Sequence, residues 1–190
     1  QGDNSVAIGN NAGHQDQGEY RVSIGNNAGN NLQNTGCVSI GKNSGQNNQG
    51  VGIGNSVSVG NNSGQNNQGT KSIAVGSNSG QFNQGNGSIA IGSESGVTGQ
   101  GKYSICIGEN SGTEFQGQTS ISIGNESGKI SQGNSCIAIG VRSGESNQGP
   151  GGVILEPAEG DNAAVIGVGG ESVSIGYECG MTNQGTQSVA

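Results

Sequence analysis

A five-residue signature that ends in glycine recurs along the chain, and its spacing constrains the fold more than any other feature. Two clear copies are residues 72–76 (Ser-Ile-Ala-Val-Gly) and residues 120–124 (Ser-Ile-Ser-Ile-Gly). Of the nine intervals between closing glycines, seven are sixteen residues, one is nineteen and one is thirty-six. A short fixed period predicts units that stack on one another, because one such unit cannot bury a core alone. The closing glycines are Gly9, Gly25, Gly41, Gly60, Gly76, Gly92, Gly108, Gly124, Gly140 and Gly176.

Within each signature, two β-branched residues flank one small residue, as in Ile73, Ala74 and Val75. Apolar residues at positions i and i+2 have the period of a strand rather than that of a helix. A second glycine follows four residues after the first, as at Gly80, and glycines at fixed offsets mark turns. We therefore predict an all-β fold, a parallel β-solenoid of about ten sixteen-residue coils.

The composition alone is typical of a disordered chain, with 28% apolar residues, 3% aromatic residues and 41 Gly among 190 residues. The repeat overrides this prediction because it concentrates the apolar residues in two columns. We expect stacking to bury both columns in one thin seam. Backbone ladders, amide ladders and association between chains are then expected to supply much of the stability.

The small residue between the two β-branched columns is predicted to point away from them and to form a flat strip. One interpretation is a solvated strip, and the other is a seam along which a second chain approaches closely. The candidate interface residues are Ala74, Ala90 and Ala138.

A glutamine also recurs once per unit, and nearly every copy is followed by glycine. One interpretation is an inward or turn-lining ladder, in which each side-chain amide bonds to the amides above and below. The other is an outward row that repeat duplication has kept. The candidate residues are Gln17, Gln49, Gln68, Gln84, Gln100, Gln116, Gln132 and Gln148.

The repeat is interrupted twice, which divides the chain into repeats over residues 1–149, an insertion loop over 150–171, and further repeats over 172–190 that we expect to continue beyond the segment. The smaller interruption adds three residues in the region 51–55. In the larger one, Glu156, Glu159 and Asp161 lie close together. A loop that leaves a rigid scaffold often carries function, and this acidic trio is a weak candidate for a cation such as Ca²⁺. The alternative is a solvated or packing excursion.

Several classes of function are disfavoured by the sequence. The net charge is −7 with only six Lys and Arg, which argues against nucleic-acid binding. No apolar run has membrane-spanning length. His14 is the single histidine, and no Ser or Cys has an evident catalytic partner. We therefore predict no catalytic residue, no metal and no cofactor. We interpret the four Cys as packing residues, with pairing between chains as the alternative.

Residues 4–9 (Asn-Ser-Val-Ala-Ile-Gly) and residues 55–60 (Asn-Ser-Val-Ser-Val-Gly) resemble the head repeat of YadA-type trimeric autotransporter adhesins. The resemblance extends to the signature of every regular unit, and similar repeats also occur in viral and phage fibre proteins. It implies a left-handed parallel β-roll, three chains side by side, and adhesion to host surfaces or matrix.

The repeat and the resemblance together predict a non-enzymatic extracellular segment that is structural or adhesive. Its stiff rod would present rows of Asn, Ser and Gln, and many weak contacts would add up through avidity. The alternative is a self-assembling filament subunit or a virion or phage fibre protein. Both hypotheses predict a homo-oligomer, as a trimer or a filament, at a cell or virion surface. A host-surface or matrix ligand is the further partner expected.

Overall fold

The structure is a computed structural model that describes residues 2–52, 54–154 and 172–174, with backbone alone at 51, 154 and 172–174. The described residues form short strands joined by turns, and no helix. The strands are β1 (Val6–Ile8), β2 (Val22–Ile24), β3 (Asn31–Gln33), β4 (Val38–Ile40), β5 (Asn47–Val51), β6 (Val57–Val59), β7 (Asn66–Gly69), β8 (Ile73–Val75), β9 (Ile89–Ile91), β10 (Ile105–Ile107), β11 (Ile121–Ile123), β12 (Ile137–Ile139), β13 (Gly152–Ile154) and β14 (Ser172–Ser174).

Two parallel walls run along the rod. The first wall is an eleven-stranded sheet built from the ten signature strands and β13, and the second wall contains the sheet β3–β5–β7. Each signature strand pairs in register with the next, so that Ile105 lies beside Ile121 and Cys106 beside Ser122. Isolated bridges at the same sixteen-residue spacing, such as Phe82 with Thr98, continue the second wall. The predicted parallel β-solenoid is therefore confirmed.

The side chains of the first wall point the opposite way from the prediction. The small middle residue lies inside, with Ala74, Ala90 and Cys106 completely buried. The β-branched residues point outward, and Ile91 is 38% exposed. The expectation of an Ile/Val seam inside the coil is therefore wrong. A three-residue strand presents one side chain to one face and two to the other, and the narrow interior accommodates only the single small one.

A bulge lies beside the second wall where the three residues are added. Strand β5 is longer than its neighbours, and its pairing with β7 shifts register between Gln49 and Val51. The amide of Gly54 donates to the carbonyl of Gly50 at 3.0 Å, which closes the added loop. The regular wall resumes at β6, whose Val57 pairs with Val38.

The second interruption begins later than predicted. Strand β13 lies within the predicted loop of residues 150–171, yet Val153 pairs in parallel with Ile137 of the preceding coil. Residues 152–154 therefore add one more strand to the first wall, although they lack the signature sequence. Strand β14 then pairs with β13. The acidic candidates Glu156, Glu159 and Asp161 lie outside the described residues.

Glycine closes each signature strand because the stacked coils leave no room for a side chain. Gly108 has φ of 129°, a conformation that residues with a Cβ rarely adopt. A Cβ built at Gly108 would lie 2.7 Å from the carbonyl carbon of Gly124 in the next coil. The obstacle is backbone, so it cannot move away without disturbing the ladder.

We expect Gly108→Ala to destabilise the rod by about 3 kcal/mol or more, since it combines an unfavourable φ with a backbone clash. Guanidinium unfolding at a fixed protein concentration measures this change. The exposed neighbour Ser93→Ala is the control, with an expected change within about 0.5 kcal/mol. Equal stability of the two variants would contradict the stacking geometry.

Candidate functional site

The glutamine side chains lie inside the coil and join its two walls. The side chain of Gln100 is 3% exposed, and its Nε2 donates to the carbonyl of Ile89 at 2.7 Å. This bond links the second wall to the strand that lies eleven residues earlier in the first wall. The inward alternative is thus the one that the structure shows. The same bond is made by Gln49, Gln68, Gln84, Gln116, Gln132 and Gln148.

The glutamines form only fragments of the expected amide ladder. Direct amide-to-amide bonds join Gln116 to Gln132 at 3.1 Å and Gln132 to Gln148 at 3.0 Å. A third joins Gln33 to Gln49. At Gln17 the side chain is half-buried and donates instead to the carbonyls of Gln15 and Gly29. The bond across the coil, rather than the ladder along the rod, is therefore the contact common to the regular coils.

A serine in the middle of the strand completes the hydrogen bonding of the glutamine ten residues later. The hydroxyl of Ser58 donates to Oε1 of Gln68 at 2.6 Å, and Ser122 donates to Gln132 at 2.7 Å. Both partners are buried, so each bond satisfies an acceptor that water does not reach. Neither column predicts this pairing by itself, and the sequence signal that could have revealed it is the ten-residue Ser–Gln spacing.

Alanine in the same position leaves the glutamine acceptor without a donor. Among the described residues, Oε1 of Gln84 and Oε1 of Gln100 are the buried side-chain oxygens that lack a partner. They lie opposite Ala74 and Ala90, which carry no hydroxyl. Ala138 is also opposite a glutamine, but there Gln132 donates to Oε1 of Gln148.

The hypothesis that Ala74, Ala90 and Ala138 form a seam between chains is wrong, because each is completely buried within its own chain. Their backbone carbonyls accept bonds from buried serine hydroxyls of the preceding coil. Ser63 donates to Ala74 at 2.7 Å, and Ser79 donates to Ala90 at 2.7 Å. The strip that the sequence predicted to be a surface is therefore the inner lining of the solenoid.

The outward side chains of β2, β4, β6 and β8–β12 form a continuous apolar surface, which we call the Ile/Val face. Each strand contributes two β-branched side chains, and these are half-buried or exposed. Stacking in register places identical columns side by side along the rod. The described part of the chain leaves this face uncovered. The exposed fraction of the residue is 36% for Ile40 and 38% for Ile139.

Asparagine ladders cover other parts of the surface. The side chain of Asn62 donates to Asn78 at 3.1 Å, and Asn43 donates to Asn62 at 3.0 Å. These residues have φ between 53° and 55°, a left-handed conformation that asparagine tolerates better than most residues. The column therefore satisfies a backbone requirement and a side-chain ladder together. Other ladders are Asn31–Asn47–Asn66, Asn48–Asn67–Asn83 and Gln46–Gln65–Gln81.

Ionisable groups make local pairs on this scaffold. Glu126 accepts from Lys129 at 2.8 Å and lies 3.5 Å from Arg142. The hydrogen bond from Lys129 lowers the pKa of the Glu126 carboxyl, aided by the charges of both cations. Arg21 is buried and donates to the carbonyl of Gly18 and to Oε1 of Gln17. Burial lowers the pKa of its guanidinium.

The described cysteines, Cys37, Cys106 and Cys136, are free and buried. Burial raises the pKa of each thiol above its ordinary value of 9.0, and this effect is large at Cys106. Cys106 donates to Oε1 of Gln116, the role that serine has in other coils. These thiols are therefore structural lining residues, because a buried neutral thiol is a poor nucleophile. Cys179 lies outside the described residues.

Across the described ranges, no group of three or more His, Cys, Asp or Glu side chains is placed to hold a metal ion. The same residues include no helix with the length and apolarity needed to span a bilayer. Comparison with protein-family models and with characterised proteins finds no match for this chain. The function of the chain is therefore inferred from its own geometry.

We expect Ala90→Ser to stabilise the rod by about 1 kcal/mol, because the new hydroxyl would donate to the unpartnered Oε1 of Gln100. Guanidinium unfolding at one protein concentration measures the change. Ala138→Ser is the matched control, since Oε1 of Gln148 already accepts a hydrogen bond. A destabilised Ala90→Ser, or an equal gain at both positions, would refute the Ser–Gln pairing.

Proposed function

We propose that this chain is a non-enzymatic structural segment of an extracellular adhesive fibre, and that it assembles side by side with copies of itself through the Ile/Val face. The observation that carries the proposal is the outward orientation of two β-branched columns along the rod. In the described residues, the completely buried apolar side chains are all Ala or Cys. The larger apolar side chains therefore remain available to a partner.

Association through this face recovers hydrophobic free energy that the single chain does not use. Full burial of a Val or Ile side chain stabilises by about 1.5–3 kcal/mol, so Ile91, which is 38% exposed, leaves roughly 0.5–1 kcal/mol unrealised. Each coil contributes two side chains of this kind, and most of them are less exposed than Ile91. Soluble monomers rarely expose a long contiguous apolar surface, and such a surface usually marks an interaction site.

A second copy of the same chain fits this face better than an unrelated partner. Rows on the Ile/Val face repeat at the strand spacing of about 4.8 Å. A surface with the same spacing packs against it in register over its whole length, and this chain supplies such a surface itself. Closed association would produce a trimer or another small oligomer, whereas open association would produce a filament.

The remaining surface supports a presenting role. Ladders such as Asn43–Asn62–Asn78 hold identical amides in rows along the rod. Several copies packed together multiply these rows, so weak contacts to a host surface or matrix add up through avidity. Two observations support the non-enzymatic part of the proposal. The described cysteines are buried as neutral thiols, which are poor nucleophiles, and the Glu126 carboxylate is paired with Lys129 and Arg142 at the surface.

Light scattering on a dilution series of the full chain tests the assembly. We expect a stable particle whose mass is a multiple of 18.6 kDa. The double variant Ile73→Glu with Ile121→Glu should reduce the mass to one chain, because charge on the Ile/Val face cannot be buried without cost. Gln118→Glu with Ser131→Glu adds equal charge at exposed positions off the face and should leave the mass unchanged.

A monomeric wild-type chain at all concentrations would overturn the assembly proposal, and concentration-dependent open growth would identify a filament instead. Binding to matrix-coated surfaces tests the adhesive part. The assembled chain should bind at least about a hundredfold more tightly than the charged double variant, owing to avidity. Equal binding by both would contradict the avidity mechanism.

A further inference from the structure

Two departures from the repeat meet at one place on the second wall. The insertion bulge lies there, and Asn34 replaces the glycine that usually follows the repeated glutamine. The column that contains Asn48 varies in residue type along the rod, and the two coils before Asn48 have Asp16 and Leu32 in it. In a repeat protein every coil faces similar packing demands, so departures that converge in space indicate a local role.

These residues enclose a half-open cleft of about 340 Å³, a volume within the range of small-molecule sites. The cleft crosses four successive coils and is therefore about 14 Å long at the strand spacing. The cleft is on the wall opposite the Ile/Val face. All its named lining residues belong to one chain, so the cleft does not require association between copies. Its lining residues are Asp16, Leu32, Asn34, Asn48, Gly52 and Asn67.

Gly52 of the insertion lines one side of this cleft. Gly50, Gly52 and Gly54 all have positive φ, which allows the added loop to turn sharply. A hydrogen bond from Asn34 holds the start of the insertion in place, since its Nδ2 donates to the carbonyl of Gly50 at 2.9 Å. Without the bulge, the surface here would be the regular wall seen in the other coils.

The asparagine ladder begins inside the cleft at Asn48, directly after Leu32 in the same column. Nδ2 of Asn48 donates to Oδ1 of Asn67 at 2.9 Å, and the ladder continues to Asn83. Leu32 precedes Asn48 in the column and has no amide, so within the described structure Oδ1 of Asn48 receives no hydrogen bond. The carboxylate of Asp16 likewise accepts none there. The cleft thus combines open acceptors with the apolar side chain of Leu32, which is 50% exposed.

We propose that this cleft binds a neutral oligosaccharide of two or three rings along the rod. Hydroxyl groups of the sugar donate to the Asp16 carboxylate and to Oδ1 of Asn48, and an apolar ring face packs on Leu32. Among the described lining residues there is one carboxylate and no basic side chain, which suits an uncharged, donor-rich ligand better than an anion. This proposal goes beyond the proposed function and does not depend on self-association.

Titration of the ¹⁵N-labelled full chain with maltotriose, cellotriose and triacetylchitotriose, each alone, tests the site by NMR. We expect at least one trisaccharide to shift the side-chain amide signals of Asn34, Asn48 and Asn67 with a millimolar Kd. The variant that is charged on the Ile/Val face should bind equally well, which separates this result from the outcome of the assembly experiment.

Two variants and one control sharpen the test. Asp16→Asn keeps the shape but replaces an acceptor with a donor, and it should weaken binding at least about tenfold. Deletion of residues 51–53 restores the sixteen-residue interval, so the rod should fold while binding is lost. Asn147→Ala lies in the same column outside the cleft and should leave the Kd unchanged.

Three results would overturn the proposal. One is the absence of shifts with all three trisaccharides, and another is unchanged binding in Asp16→Asn and in the deletion variant. The third is a response of the same amides to CaCl₂ alone that Asp16→Asn removes, since this would identify a cation site.

Discussion

The hydrogen bond from the interior glutamine to a strand carbonyl on the opposite wall, which recurs in the coils from Gln49 to Gln148, sets the dimensions of the solenoid. A glutamine side chain such as that of Gln100 spans the interior and reaches the backbone of Ile89. The space that remains holds a serine, an alanine or a cysteine, but not a valine or an isoleucine. Because the interior is this narrow, the β-branched side chains lie outside, and the turns that close it need glycine.

This arrangement reverses the usual distribution of polar and apolar residues. Buried serine and glutamine side chains form a hydrogen-bonded lining that links successive coils, as Ser63 does with Ala74. A satisfied polar network fixes one geometry, and an unpartnered member weakens it. The rod therefore obtains its order from hydrogen bonds inside, and the β-branched side chains of the Ile/Val face remain on its outer surface.

Sequence patterns predicted the coil better than they predicted which side of the wall faces inward. The sixteen-residue interval and the β-branched pairs predicted parallel strands in register, which the pairing of Ile105 with Ile121 confirms. A period of two cannot tell which face is buried, and the rule that apolar residues lie inside gave the wrong answer for Ala90 and Ile91. The deciding signal was the ten-residue spacing between strand serine and glutamine, which requires both columns to be considered together.

The candidate sites were predictable only in part. The glutamine column and the three-residue addition were visible as regularities and deviations along the chain. The cleft was not, because Asp16, Leu32 and Asn67 come together only when coils of unequal length are stacked. The insertion boundary also depended on structure, since residues 152–154 pair through their backbone and need no signature side chains.

Hydrogen exchange of side-chain amides, followed by NMR on the folded full chain, tests the polar interior most directly. We predict that the Nε2 protons of Gln100, Gln116 and Gln132 exchange far more slowly than the Nδ2 protons of the surface residue Asn134. The Ala90 methyl group should also be shielded from a paramagnetic cosolute. Equally fast exchange of the Gln and Asn amides, with Ala90 accessible to the cosolute, would show that the glutamines and the small residues face solvent and would contradict the polar interior.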